Sequence, residues 1–444
     1  MRKPASKFLS LFLVLAMVCS LFGAAFAAEE ETATPYVIPD VDGKVVILHT
    51  NDTHGADLDE EGASFGMAGV AQLKKDFEAA GADVLLVSAG DSIMGKPLVS
   101  ADQGKSAIEF MNAAGYDAMT VGNHELDFGI DNLKALAKDA DFPILCADMT
   151  TEADGKTVFD SNKIFDLGGV KVGVFGLATP ETLTKADASK MPGITFPQTD
   201  KLYAIAQAQV DELNKAGADL IVCLGHLGID DESIGNRSID VCEHVDGIDL
   251  FIDGHSHTVM ENKRVYDAAG KPVTLTQTGS YLANVGKMTI AEDGAITTEL
   301  ISTADVSDAA VAATAEAWIN DVDTMLGEQI ATTDIKFYIN DPAAGKRRIR
   351  MGETNLGDFV ADGIYTYFNE VEQLDCDIAM MNGGGIRIDV DAGKWTFKTC
   401  KQVSPFGNVA CLMSVTGKQI QDALEFGARF VWSMRLRQRQ MLPQ

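Results

Sequence analysis

Cationic side chains are scarce in this sequence. Its 444 residues include 36 lysines and arginines against 65 aspartates and glutamates, which gives a formal net charge of −29. Binding to a nucleic acid polymer or to an anionic lipid surface needs clustered positive charge. The composition therefore argues against both partners, and any site for an anionic small molecule must take its positive charge from metal ions or from a few arginines.

Cysteine is also scarce, with seven in the chain and no Cys-x-x-Cys spacing. Cys146 and Cys223 fall in or beside apolar runs, where a free thiol packs as a small hydrophobic group. We therefore expect no disulfide framework, although a single bridge stays open.

Long apolar runs are missing after the first 28 residues. Before that point, Arg2, Lys3 and Lys7 precede an apolar run at 8–22, and an Ala-Phe-Ala sequence follows it at 25–27. This order is typical of a secretory signal peptide, and the run is shorter than the roughly 20 residues that span a bilayer. We predict a cleaved signal peptide at 1–27, with an uncleaved anchor as the alternative. The mature chain, without a membrane span, is then extracellular, periplasmic or held at the cell surface.

Strand-like apolar runs alternate with amphipathic helical stretches from Val45 to about residue 300. The runs predicted as strands lie at 45–48, 84–87, 118–121, 170–177, 220–224 and 250–252. Apolar residues recur at helical spacing at 68–80, 104–114, 130–138 and 201–216. This alternation indicates an α/β fold.

The length of 444 residues exceeds what one hydrophobic core usually organises, and it favours two domains. An Ala-rich polar stretch near 305–327 predicts a helix, and a second α/β-like region begins near residue 330. We therefore predict a first domain at 43–300, a linker helix at 305–329 and a second domain at 330–444.

The last residues differ from the rest of the chain. After Phe426 the sequence contains four arginines and no acidic residue. Two interpretations stay open: a basic surface helix, or an aberrant tail from an out-of-frame or early end of the reading frame. We favour the second.

Five polar clusters directly follow predicted strands, at 51–55, 90–91, 122–125, 225–226 and 254–257, and they contain five of the seven histidines. In open α/β sheets, ligands bind at the carboxyl ends of strands. The clusters offer carboxylate, imidazole and amide oxygen, a ligand set suited to catalytic Zn, Mn or Fe. A single histidine after a strand is more often a packed or surface residue, but the five clusters together predict a metal site.

The order Asp-x-His, Gly-Asp, Gly-Asn-His-Glu, Gly-His and Gly-His-x-His resembles the signature of the calcineurin-like metallophosphoesterases over residues 45–260. The resemblance implies a four-layer α/β/β/α sandwich and two divalent metal ions, Zn, Mn or similar, with attack on phosphorus by a metal-bound hydroxide. The ligands that it implies are Asp52, His54, Asp91 and His257 for one metal, and Asp91, Asn123, His226 and His255 for the other. Asp91 would bridge the two ions.

Two further residues follow from the same resemblance. His124 is similar to the family's transition-state histidine, which contacts the phosphoryl oxygens. Asp127 would orient that imidazole and raise its basicity, with a helix N-cap as the alternative role. His49 and His244 lie outside the motifs, and we interpret both as structural.

Motifs beginning at Arg350, Asn382 and Pro405 resemble the C-terminal domain of 5'-nucleotidases and of the related UDP-sugar hydrolases and 2',3'-cyclic phosphodiesterases. By that resemblance Arg350 and Arg387 would grip phosphate or other nucleotide oxygens through their planar guanidinium groups. Asn382 would bond the base and Phe406 would stack on it, with Gly384 in the same substrate-binding set. Family members carry a second aromatic residue and a ribose-binding aspartate further along, so we expect this α/β substrate domain to be incomplete.

The preferred function is a secreted enzyme that hydrolyses the 5'-phosphate of nucleotides to nucleoside and phosphate, as in nucleotide scavenging. One alternative keeps the site but acts on 2',3'-cyclic nucleotides, 3'-nucleotides or UDP-sugars. A second alternative is a non-catalytic surface-binding module, or a fragment disabled by truncation. The sequence leaves the oligomeric state open.

Overall fold

The computed structural model describes residues 36–58, 64–291, 294–302, 306–343, 347–406, 408 and 410–440. The predicted signal peptide at 1–27 lies outside these residues. We use "N-terminal region" for residues 45–302 and "C-terminal region" for residues 329–440.

The described residues contain sixteen strands, of which fourteen lie in the N-terminal region and two in the C-terminal region. They are β1 (Val45–Thr50), β2 (Asp83–Ser88), β3 (Ala118–Thr120), β4 (Ile144–Leu145), β5 (Thr150–Thr151), β6 (Asn162–Leu167), β7 (Val170–Ala178), β8 (Ile194–Thr195), β9 (Leu220–His226), β10 (Leu250–Ile252), β11 (Val259–Tyr266), β12 (Pro272–Thr278), β13 (Val285–Ile290), β14 (Ile296–Ile301), β15 (Gln329–Thr333) and β16 (Gly393–Thr396).

Helices alternate with these strands. The α-helices are α1 (Gly66–Ala79), α2 (Pro97–Ala101), α3 (Lys105–Ala114), α4 (Ile130–Asp139), α5 (Thr182–Lys185), α6 (Asp200–Lys215), α7 (Ser238–His244), α8 (Ala309–Leu326), α9 (Asn355–Thr366), α10 (Phe397–Val403) and α11 (Gly417–Gln440). Single turns of 3₁₀-helix occur at His124–Leu126, Ala188–Lys190, Asp231–Ser233 and Gly383–Gly385, and a π-helical turn at Tyr367–Val371.

Two six-stranded sheets form the frame of the N-terminal region. Their orders are β14-β13-β1-β2-β3-β4 and β11-β12-β10-β9-β7-β6. Strands β1 to β4 run parallel in the first sheet, and β7, β9, β10 and β12 run parallel in the second. Antiparallel strands flank each parallel set. The carboxyl ends of each parallel set therefore share one edge of their sheet.

The sheets pack face to face through a common apolar core. Ile47 and Leu85 of the first sheet lie in one buried cluster with Val174 and Leu224 of the second. Helices α6 and α7 cover the outer face of the second sheet, where a further buried cluster includes Leu213. On the other side α1 packs on β2 and against α3 and α8. The predicted α/β/β/α layering is confirmed.

All six predicted strands are strands, and all four predicted helices are helices within a few residues of the expected bounds. The runs are visible in the sequence because central parallel strands, covered on both faces, are nearly continuous apolar segments. The edge strand β11 escaped prediction because its sequence, VMENKRVY, is mostly polar and exposed. Helix α8 begins after Asp308, whose side chain accepts the N–H groups of Ala310 and Val311, and it falls within the predicted linker.

The C-terminal region has a small core beside the two-stranded β15–β16 ladder. Its fully buried apolar residues include Leu356, Ile386 and Trp395. The segment with the basic tail is helical, since α11 continues to Gln440, and the origin of that tail stays a prediction. From Ile38 onward the chain forms one compact unit, so the domain boundaries at 300, 305 and 330 also stay predictions. In the described part of the chain, no helix combines the length and apolar character of a membrane span.

Candidate metal centre and active site

The five polar clusters converge at the carboxyl ends of the two parallel sets. Asp52 and His54 follow β1, Asp91 follows β2, and Asn123 and His124 follow β3 in the first sheet. In the second sheet, His226 ends β9, while His255 and His257 follow β10. Because the sheets pack face to face, these two sheet edges bring all eight residues to one place.

Backbone strain is concentrated at these residues. Five candidate ligands have a left-handed backbone: Asp52 (φ 49°), His54 (φ 47°), Asp91 (φ 58°), His255 (φ 74°) and His257 (φ 52°). A non-glycine residue in this region costs about 1–3 kcal/mol, and such strain persists where the surroundings enforce it. The rest of the fold therefore holds these residues in a strained backbone conformation that directs their side chains inward.

Two overlapping groups of side chains have the spacing of metal ligands. One is Asp52, His54 and His257, the other Asp52, Asp91 and His226, and within each group the ligand atoms lie within 4.8 Å of one another. Asp91 Oδ2 lies 3.1 Å from His226 Nε2 and 3.9 Å from His54 Nε2. Asp91 therefore lies between the two imidazoles, and Asp52 belongs to both groups.

The tautomers of two histidines are fixed by backbone carbonyls. His54 Nδ1 donates to Met94 O at 3.0 Å, and His226 Nδ1 donates to Ala89 O at 2.7 Å. Each Nε2 thus faces the centre, and His226 Nε2 is buried there without a hydrogen-bond partner. Burial lowers the pKa of His54 to about 3, which keeps that imidazole neutral. Neutral imidazoles with an outward N–H bond are the usual form of histidine ligands.

The charge of the centre also favours cations. Asp52 and Asp91 are both buried, with 0% and 2% of their surface exposed. Burial would lower the pKa of His226, but the adjacent Asp91 and Asp52 carboxylates raise it. Two buried carboxylates demand positive charge at this point, which a proton or a metal ion can supply. The donor set, the orphaned Nε2 and this charge all fit divalent metal ions.

The loop that carries Asp91 is shaped by two residues of the Gly-Asn-His-Glu motif. A Cβ atom on Gly122 would lie 2.2 Å from Asp91 Oδ1 and 2.6 Å from its backbone nitrogen, so only glycine fits. The Glu125 carboxylate accepts the backbone N–H groups of Asp91 (2.8 Å), Ser92 (2.7 Å) and Gly122 (2.6 Å). Burial, and then Asp91, raise the pKa of Glu125 to about 7.

His124 and Asp127 form a hydrogen-bonded pair beside the centre. His124 Nδ1 lies 2.7 Å from Asp127 Oδ2, and the His124 backbone N–H donates to Asp91 Oδ1 at 2.8 Å. Burial lowers the pKa of His124, but Asp91 and Asp127 outweigh it and the net pKa is raised. Asp127 is not the N-cap residue of α4, because that residue is Gly129, which has no side-chain cap. The Asp127 carboxylate is hydrogen-bonded to His124 instead.

A cavity of about 640 Å³ joins the metal residues to the C-terminal region. The five C-terminal residues predicted to bind substrate all line it: Arg350, Asn382, Gly384, Arg387 and Phe406. The ring centroids of Phe406 and His124 lie 5.5 Å apart. The Arg387 guanidinium lies 4.8 Å from the Phe406 centroid. The cavity thus combines guanidinium groups and an aromatic ring with the metal residues.

Several cavity residues were not predicted as site residues from the sequence, among them Glu181, Tyr281 and Arg347. Glu181 follows β7, and its carboxylate lies 2.9 Å from His255 Nε2. Tyr281 follows β12, and its backbone N–H donates to Asp52 O at 2.8 Å. Position after a predicted strand was a usable signal for Glu181, whereas β12 was not among the predicted strands. Arg347 stands close to Arg348 and Arg350 in the chain, and nothing in the sequence distinguishes which of the three arginines face the cavity.

The histidines outside the motifs lie elsewhere. His49 is buried in β1, and His244 stacks on Tyr203 with ring centroids 4.3 Å apart. The six cysteines of the described residues are free thiols.

Comparisons with known proteins agree with this geometry. The family model described as "Calcineurin-like phosphoesterase" matches residues 45–259, and the one described as "5'-nucleotidase, C-terminal domain" matches residues 329–441. Together they cover about three quarters of the chain. The protein therefore belongs to the calcineurin-like phosphoesterases that carry a 5'-nucleotidase C-terminal domain, and it is a phosphoric ester hydrolase.

Individual relatives span most of the chain. A 5'-nucleotidase of Vibrio cholerae is 28% identical over 93% of this chain and 80% of its own length. The trifunctional nucleotide phosphoesterase protein YfkN of Bacillus subtilis is 30% identical over 86% of this chain and 27% of its own length. The solved structure of a 5'-nucleotidase precursor from Thermus thermophilus has a TM-score of 0.72 at 27% identity, covering 87% of this chain and 78% of that one.

Proposed function

We propose that this protein is an exported dinuclear-metal phosphoesterase that removes the 5'-phosphate of nucleotides, giving nucleoside and phosphate. The observation that carries the proposal is the cavity in which candidate metal ligands, His124 and three arginines meet an aromatic side chain. Metal and guanidinium groups suit a phosphate, and the ring suits a base.

The metal ligands that we propose are those of the two-site arrangement. Asp52, His54, Asp91 and His257 would hold one divalent ion, and Asp91, Asn123, His226 and His255 would hold the other. When bound, such a pair supplies Lewis-acid charge for the phosphoryl oxygens and activates water at neutral pH. Zn and Mn both suit this mixture of imidazole, carboxylate and amide oxygen.

His124 would handle the proton and charge at the leaving oxygen. Its Nδ1–H is occupied by Asp127, so the other ring nitrogen is available to the cavity that His124 lines. The raised pKa favours the protonated ring, which can donate to a phosphoryl oxygen or to the departing alkoxide. Asp127 would keep the ring in the orientation that this role requires.

Arg350 and Arg387 would bind the phosphate or other oxygens of the nucleotide, with Asn382 and Gly384 beside them. They provide the local positive charge that a chain of net charge −29 otherwise lacks. Phe406 would stack on the base, a contact that contributes about 1–3 kcal/mol and tolerates different bases. Because Arg387 covers one face of this ring at 4.8 Å, a base must use the other face or displace the guanidinium.

Two further parts of the proposal rest on the sequence and the relatives. The names of the Vibrio cholerae and Thermus thermophilus relatives favour a 5'-nucleotide as substrate. The trifunctional nucleotide phosphoesterase of Bacillus subtilis favours a second candidate function, hydrolysis of cyclic or other nucleotide esters at the same site. The basic and apolar pattern at 1–27 supports export.

The test measures phosphate release from AMP, 2',3'-cyclic AMP and UDP-glucose by the purified protein with Mn²⁺. We expect AMP to be turned over, and the rate to fall about 10²- to 10⁴-fold in His124→Ala, the range for a lost general acid. His244→Ala serves as the control, because that ring stacks on Tyr203 outside the cavity. Absence of hydrolysis of all three substrates, with metal bound, would contradict the proposal.

A further inference from the structure

His255 is held differently from two other candidate histidine ligands. His54 and His226 bond backbone carbonyls through Nδ1 and turn Nε2 to the centre. His255 turns Nδ1 inward, to 2.8 Å from Asn123 Oδ1, and its Nε2 lies 2.9 Å from Glu181 Oε2. Its outward nitrogen therefore meets a carboxylate side chain.

This contact decides the tautomer of His255. A carboxylate can only accept, so Nε2 carries the hydrogen and donates it to Glu181. In the neutral ring, Nδ1 then presents a lone pair to the amide oxygen of Asn123, only 2.8 Å away. Two acceptors at that distance repel unless a cation lies between or beside them. The contact with Glu181 thus selects the form of His255 that can bind a metal ion.

Glu181 is itself fixed from two sides. Ser233 Oγ donates to Glu181 Oε1 at 2.7 Å, and Lys185 Nζ lies 3.6 Å from Oε2. The Glu181 backbone N–H donates to Thr179 Oγ1 at 3.2 Å, just after the end of β7. Only 18% of the Glu181 side chain is exposed. The carboxylate is therefore built into the wall of the cavity.

We propose that Glu181 is a positioning residue for His255: it fixes the ring orientation and the Nε2–H tautomer and so strengthens one of the two metal sites. The inference deepens the proposed function and rests on its dinuclear centre. Outer partners of ligand histidines typically contribute about 10- to 100-fold in metal affinity.

We expect the effect to be largest at one metal ion. The Glu181 carboxylate bonds Ser233 and His255, whereas the group of Asp52, His54 and His257 does not include His255. Loss of the carboxylate should therefore leave one ion tightly bound and weaken the other.

The experiment titrates the chelator-stripped, full-length protein with Mn²⁺ in a calorimeter. For Glu181→Ala we expect one ion bound as in the parent and the other about 10- to 100-fold more weakly. Glu181→Gln should have a smaller effect, since its amide oxygen still accepts the N–H without the charge. Glu232→Gln is the matched control, because it removes an equal charge nearby without touching a ligand histidine, and it should leave both affinities unchanged.

Three outcomes would go against parts of this account. Two ions bound by Glu181→Ala with parental affinities would overturn the role of Glu181. Equal weakening of both ions with a lowered Tm would overturn it as well, because the residue would then be merely structural. A parent protein that binds fewer than two ions would instead contradict the dinuclear centre of the proposed function.

Discussion

The N-terminal and C-terminal regions supply the two halves of one cavity but are built differently. The N-terminal region packs two sheets over extensive buried clusters, whereas the buried core of the C-terminal region contains six residues. Sixteen of the 21 large apolar side chains exposed in the described residues lie at or after Ile330. The candidate metal residues thus lie on a part of the fold with a large buried core, whereas the candidate substrate residues lie on a part with a small one.

The supports of individual side chains follow the same division. Asp91 is held by its strained backbone, by Glu125 and by the N–H of His124. Arg387 is supported by its backbone N–H bond to Val403 O and by the face of Phe406. We therefore expect damage to the first region to remove metal and turnover together, and damage to the second to weaken substrate binding alone.

Gly122→Ala should have the largest effect. Its Cβ would meet Asp91 Oδ1 at 2.2 Å, so the proposed bridging carboxylate must move. We expect metal content to fall and kcat/KM for AMP to drop at least about 10²- to 10³-fold, as when a preorganised active-site group is lost. Metal analysis measures the metal content, and phosphate release from AMP measures kcat/KM. Gly363→Ala, where an added Cβ meets nothing within 4 Å, should change neither, and retention of two metals by Gly122→Ala would refute the packing argument.

Arg387→Lys should have an intermediate effect of another kind. Lysine keeps the charge but loses the planar pair of donors and the stacking on Phe406. We expect KM for AMP to rise about tenfold, corresponding to roughly 1.5 kcal/mol for a lost charged hydrogen bond, with metal content unchanged. Steady-state kinetics separate KM from kcat. The control is Arg264→Lys, because Arg264 is exposed on β11, and it should leave KM unchanged. A loss of kcat with KM unchanged would place Arg387 at the reaction and not at substrate binding.

Phe406→Leu should have the smallest effect and the most selective one. Leucine keeps an apolar contact but cannot stack, so affinity for AMP should fall by about 1 kcal/mol, the lower end of the range for base stacking on an aromatic ring. Ribose 5-phosphate, which has no base, should be hydrolysed by variant and parent with the same KM. If both substrates lose affinity equally, the ring serves to hold Arg387 and His124, which it contacts, and not to bind the base.

Much of this site could be predicted because the same strand-and-turn arrangement recurs along the chain. A buried strand, visible as an apolar run, ends in a glycine-rich turn that presents polar side chains, so position in the sequence predicted that Asp52, Asp91 and His226 lie close together. Glu181 also follows a predicted strand, but its role could not be predicted, because its partner His255 is 74 residues away and in another loop. Tyr281 was missed because β12 was not recognised as a strand. Tertiary packing decides which face of the C-terminal region lines the cavity, so the sequence could not predict that Arg347 lies there.

The most direct test of the account measures AMP hydrolysis and metal content in the same samples, before chelation, after chelation and during stepwise return of Mn²⁺. The account predicts that stripped protein is inactive and that activity returns as the second ion binds. Substantial AMP hydrolysis by protein stripped of metal, or full activity with one ion bound, would contradict a two-metal mechanism in this cavity.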